Sequence, residues 1–113
     1  VALGGQAEEA QRFFDAMNEY GVEYDIIGQS YYPEWHGTLE ELEANTNALV
    51  LKYNKPLIVV EYRDHYLDIE RIVSSLPNGL GRGTFIWEAT SPQWGKLFDE
   101  SGATTEAIRA YNR

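Results

Sequence analysis

Glu61 closes the run Leu57-Ile58-Val59-Val60. A carboxylate at the end of so apolar a stretch is costly unless it is hydrogen-bonded or given a catalytic task. Two readings are open: a catalytic carboxylate, or a strand-terminal Glu caught by a nearby Arg or helix N-terminus. Tyr32 follows another apolar run, Tyr24 to Tyr31, and its hydroxyl could donate to Glu61, holding the carboxylate oriented and ionised. Trp87 ends a third run, where an indole can form a flat wall for one face of a sugar, with Trp35 and Trp94 extending it. Core packing is the commoner fate of such rings. Eight Tyr and three Trp in 113 residues nevertheless tilt the composition toward carbohydrate.

Other chemistries find less support. His36 and His65 are far apart and form no HExxH-like pair, so no His-based metal site is expected. Ser30 lies in no nucleophile elbow. There is no cysteine, hence no thiolate nucleophile, zinc ribbon or disulfide framework.

These residues need elements to position them. Ala10, Phe13, Phe14 and Met17 recur at helical spacing over 7–20, and Gly21 stops that helix. Thr38 with Glu41 three residues on is a capping-box spacing, opening a helix striped by Leu39, Leu42, Thr46, Leu49 and Val50. Ile69, Ile72, Val73 and Leu76 mark a third helix, and Thr104 or Thr105 can cap a last one. Strands are expected near 1–3, 24–31, 57–61 and 83–88. Leu57–Glu61 reads as a strand covered on both faces, as in a parallel sheet.

Strand-helix alternation repeated four times implies right-handed crossovers and a parallel sheet. A small doubly wound sheet or half of an eight-stranded barrel would both fit. No glycine fingerprint joins a strand to its helix, which favours the half-barrel. In such folds function gathers at the carboxyl ends of strands. Alternation puts Gly28, Ser30 and Tyr32 on one face, and Gly83, Phe85 and Trp87 on one face. It also groups Leu57, Val59 and Glu61; if that face lines a barrel, Glu61 points into its mouth.

Nine basic against eighteen acidic residues give a net charge of −9. Such a surface repels phosphate backbones and anionic lipid, so neither nucleic acid nor membrane is an expected partner. No apolar run is long enough to span a bilayer. Residues 1–113 read as a single unit. Val1 begins without Met, a charged n-region or an apolar signal core, as at a mature or cut terminus.

Three segments together resemble a known family. Asp25 to Gly37, reading DIIGQSYYPEWHG, is similar to the sixth-strand segment of the endo-β-1,4-galactanases of glycoside hydrolase family 53. Tyr53 to Glu61, reading YNKPLIVVE, resembles the seventh strand, whose final Glu is the nucleophile there. Gly79 to Glu88, ending in FIWE, resembles the eighth, and Leu97-Phe98-Asp99 the closing segment.

The resemblance implies the C-terminal half of a (β/α)8 barrel, four parallel β/α units, from a retaining glycosidase cleaving β-1,4-galactan or a similar plant polysaccharide. It implies Glu61 as nucleophile and Tyr32 as its hydrogen-bond partner. Trp87, Trp35, His36, Tyr31 and Glu88 are the expected substrate contacts. No cofactor or metal is expected, and the setting would be secreted or periplasmic.

The family's acid/base follows an Asn at the end of the fourth strand, before the matching region. Asn18-Glu19 has those letters but falls in the first helix. The isolated chain is therefore expected to be inactive, with Glu88 as first candidate should an acid/base lie within it. The long seventh-strand loop that carries a calcium site and distal sugar contacts in many relatives is absent. Expected partners are a polysaccharide and either an N-terminal half-barrel or a second copy meeting the open sheet edges. The alternative is a non-catalytic carbohydrate-binding or self-assembling half-barrel.

Overall fold

The computed structural model describes residues 1–111. Its core forms where helical stripes meet one face of a parallel sheet. Helix α1, Ala7–Glu19, buries Ala10 and Phe14 and carries Glu8 and Glu9 in its first turn, where acidic side chains complement the helix dipole. Gly21, at φ 68°, lets the chain leave it. Strand β1 is Ile27–Ser30, followed by the one-turn helix α2, Pro33–His36.

Helix α3, Leu39–Tyr53, opens with a complete capping box. The Thr38 N–H donates to Glu41 Oε2 at 2.7 Å, and the Glu41 N–H donates to Thr38 Oγ1 at 3.2 Å. Asn54 closes it in the left-handed region. Strand β2, Leu57–Glu61, leads through Tyr62–His65 into α4, Tyr66–Ser74. Strand β3, Gly81–Thr84, follows a 3-10 turn at Pro77–Gly79, and a 3-10 helix, Glu106–Tyr111, ends the described chain.

The strands run in the order β1-β2-β3, all parallel. Ile27, Leu57 and Val59 are fully buried in one cluster with Leu42 and Leu49 of α3 and Ile69 and Ile72 of α4. The opposite sheet face is open: Val60 is 40% exposed and Phe85 64%.

Four expectations need correction. The strand expected over 24–31 is confined to Ile27–Ser30. Residues 1–3 form no regular strand, yet they lie parallel beside β1. The Val1 nitrogen donates to the Gly28 carbonyl, and the Val1 carbonyl accepts from Ser30 N–H. The last strand begins at Gly81 and ends at Thr84, although Phe85 and Trp87 N–H groups still bond to Val59 and Tyr62 carbonyls. The last helix is a 3-10 helix, and α2 had no periodic signal because it is a single turn.

Candidate active site

At the carboxyl ends of the strands, Tyr32, Trp35, Glu61, Arg63, Trp87 and Trp94 line a concavity of about 260 Å³. Each side chain arrives by a different local route. On β1 strict alternation holds: Ile27 and Gln29 are buried on the helical side, and Tyr32, beyond the strand end, reaches the concavity. Trp87, three residues past β3, reaches it from the other flank.

On β2 the alternation breaks, which corrects the grouping of Glu61 with Leu57 and Val59. Those two residues are fully buried against the helices. Gln29 pairs with Val59, but the next pair is Ser30 with Glu61, leaving Val60 as an extra residue in β2. Such a bulge re-aims the side chain that follows it. Val60 lies on the open face, where a Cβ added to Gly28 would come within 3.1 Å of it. Glu61 then also faces the concavity, while Tyr62 turns back into the core, fully buried. The Tyr62 hydroxyl is hydrogen-bonded to Thr84 at 2.8 Å and to Tyr111.

The central contact is the Tyr32 hydroxyl donating to Glu61 Oε1 at 2.7 Å. Burial, and then the neighbouring Glu61 carboxylate, push the Tyr32 phenol well above its ordinary pKa, so it remains a proton-bearing donor at neutral pH. Its ring meets Trp35 edge-on at 5.6 Å. The indoles are accessible: Trp35 is 65%, Trp87 45% and Trp94 43% exposed. One carboxylate among aromatic walls suits nucleophilic attack beside an apolar sugar face. Glu61 is the only carboxylic acid among the lining residues.

Three expected contacts lie elsewhere. Tyr31 is 1% exposed and donates its hydroxyl to the Gly37 carbonyl at 3.0 Å, because strand parity sends it to the side opposite Tyr32. His36 is 7% exposed. Its Nδ1 accepts from the Tyr32 backbone N–H at 3.0 Å, and its ring packs 6.0 Å from that of Tyr32. Burial lowers its pKa, against smaller opposing effects from Glu61 and the Ser30 backbone. Glu88 is exposed, has φ 45° and is no part of the concavity wall. Its carbonyl accepts from the Ser91 and Gly95 N–H groups in a tight turn.

Arg63 is the lining residue that sequence reasoning missed. The available signal was a basic residue two positions after a strand-terminal carboxylate, in a short connection. Among the described residues no group of three His, Cys, Asp or Glu is arranged to hold a metal, and no helix is long and apolar enough to cross a membrane.

Comparison with known proteins bears on this geometry. Residues 1–70 match the model of glycosyl hydrolase family 53. An uncharacterised protein in the bgaB 5' region of Niallia circulans is 36% identical over 127 residues, covering 83% of this chain and 34% of that protein. The endo-beta-1,4-galactanase of Bacillus subtilis (strain 168) is 38% identical over 47 residues, 42% of this chain and 11% of that enzyme. A solved fungal beta-1,4-galactanase superimposes with a TM-score of 0.83 at 19% identity, over 100% of this chain and 46% of that one. The fold is thus a partial (β/α)8 barrel, and the chain spans at most about a third of these two curated relatives.

Proposed function

Because this chain belongs to glycosyl hydrolase family 53, we propose that it supplies the nucleophile side of a retaining hydrolase of β-1,4-galactan or a similar plant polysaccharide. The observation that carries this reading is the Glu61 carboxylate, held at 2.7 Å by the Tyr32 hydroxyl in a concavity walled by Trp35, Trp87 and Trp94.

Glu61 attacks the anomeric carbon with the oxygen that Tyr32 leaves free. The glycosidic C–O bond breaks, and the departing oxygen takes a proton from a carboxylic acid supplied by the rest of the barrel. Water, losing its proton to that same group, then displaces Glu61 from the glycosyl ester. Two inversions give net retention, a route that needs the carboxyl groups about 5–5.5 Å apart. The indoles stack on galactosyl faces and orient the scissile bond. The barrel is completed by an N-terminal half or by a second copy. A polymeric plant substrate places the enzyme outside the cytoplasm.

In the full-length protein, Glu61→Gln should reduce turnover by about 10⁴-fold or more, because a neutral amide cannot form the ester. A 2-fluoro-galactoside with an activated leaving group should leave its label on Glu61 in a peptide digest. Near wild-type turnover of the variant, or label on another carboxylate, overturns the assignment. Galactan binding without turnover by the full-length protein would instead select the non-catalytic reading.

A further inference from the structure

The distance between the Tyr32 hydroxyl and the Glu61 carboxylate is set by two chain segments, the end of β1 with α2 and the end of β2. A hydrogen bond of this kind keeps its geometry only if those segments keep their separation. Trp35 and His36 flank the Tyr32 ring, but both belong to α2 and move with it. Something on the β2 side must hold the ring as well.

Arg63, two residues past Glu61, meets that need. Its guanidinium forms an ion pair with Glu34 of α2 and lies 5.8 Å from the Tyr32 ring centre. It also lies 5.2 Å from the Trp94 ring centre, reaching the segment after β3. Its Nε is 3.6 Å from Asp64, and Asp64 is 3.5 Å from Lys96 Nζ, tying the same segment a second time.

An exposed ion pair alone contributes little. The Arg63 side chain is only 22% exposed, however, and a planar guanidinium can pair and stack at once. The connection carrying it is merely Tyr62–His65, too short to fold over the concavity as a loop.

We infer that Arg63 is a positioning residue, clasping Tyr32 and Trp94 against Glu34 so that the Tyr32–Glu61 contact and the indole wall keep their places. The inference rests on the nucleophile assignment above. It also accounts for a bare strand-to-helix connection at the mouth: one stacked cation links all three segments that bear lining residues.

The test is a double-mutant cycle in the full-length protein, with kcat and KM measured separately on galactan oligosaccharides. Tyr32→Phe removes a hydrogen bond to a charged group and should lower kcat roughly 10- to 100-fold. Arg63→Met should lower kcat by about 10-fold or more, with a smaller rise in KM from the loosened Trp94, since small misplacements near a reacting centre are costly. Arg63→Lys and Glu34→Gln should fall between wild type and Arg63→Met, because each keeps part of the clasp.

In the Tyr32→Phe background, Arg63→Met should cost distinctly less than it does in wild type, because the part of its effect that runs through the lost hydroxyl is already gone. Multiplying losses, or an Arg63→Met enzyme with wild-type kcat, overturn the inference. Should Arg63→Met fail to fold, the cycle is run with Arg63→Lys and Glu34→Gln and read by the same criterion. An inactive Glu61→Gln beside multiplying losses sinks only the Arg63 role; an active Glu61→Gln sinks both readings.

Discussion

Glu61 and His36 show how burial assigns tasks to polar side chains on either side of Tyr32. Glu61 receives the phenol hydroxyl and faces open space, whereas His36 is nearly enclosed and accepts the Tyr32 backbone N–H. Its task is to hold the residue that holds the carboxylate. Burial lowers the His36 pKa in the folded chain, which has a consequence for stability. Above an ordinary histidine pKa of about 6.5 the ring is neutral folded or unfolded, and stability is independent of it. As pH falls below that value the unfolded chain takes up the proton first, so this part of the stability is lost on acidification. His36→Asn keeps an acceptor near the Nδ1 position and cannot titrate. Denaturant melts between pH 7.5 and 5 should therefore show a flatter pH dependence for the variant than for wild type; equal slopes would refute the assignment.

At the scale of elements, what places the site is close contact between strands and helices. Gly81 opens β3 directly beneath α4, where an added Cβ would sit 1.7 Å from the Val73 carbonyl oxygen. Backbone on both sides leaves no flexible atom to yield. Gly81→Ala should destabilise the chain by about 3 kcal/mol, at the upper end of ordinary overpacking, and loosen the flank that carries Trp87. Thermal melting and amide exchange across β3 check this; a melting temperature equal to wild type would show that α4 can shift. The Val60 bulge belongs to the same scale. It spends one extra residue to turn Glu61 onto the open face while returning Tyr62 to the hydroxyl cluster with Thr84 and Tyr111.

The whole molecule is elongated, 50 × 26 × 25 Å. Its radius of gyration is 14.7 Å, against about 13 Å for a compact domain of this length. A sheet of three parallel strands with apolar Val60 and Phe85 on its open face has an inner surface that a closed barrel would cover. Its edges, at β3 and beside β1, are free to pair among the described residues, which invites association. As a verified monomer the 113-residue chain should not hydrolyse galactan appreciably. General acid assistance is worth roughly 10²–10⁴ in rate, and the concavity holds one carboxylate only. Supplying the N-terminal half of a family barrel should restore Glu61-dependent turnover. Turnover by the monomer would require an acid/base within these residues. A dimer without affinity for galactan would instead point to self-assembly.

Much of this was legible in the sequence because it is local. The stripes of α1, α3 and α4, the Thr38–Glu41 cap and the apolar run of β2 depend on neighbours within a few residues. So does the strand-end location of Tyr32, Glu61 and Trp87, and parity along β1 put Tyr32 on the face opposite Ile27 and Gln29. What the tertiary structure decided rests on pairing between segments about thirty residues apart. The register of β1 against β2 creates the bulge at Val60, and no pattern inside Leu57–Glu61 announces it. Tyr31 and His36 have the chemistry of ligand contacts, and only the packing of α2 against the end of β1 encloses them. Arg63 was not singled out in the sequence. Its reach to Glu34, Tyr32 and Trp94 exists because three connections converge at one end of a parallel sheet, a convergence that belongs to the folded chain and to no stretch of its sequence.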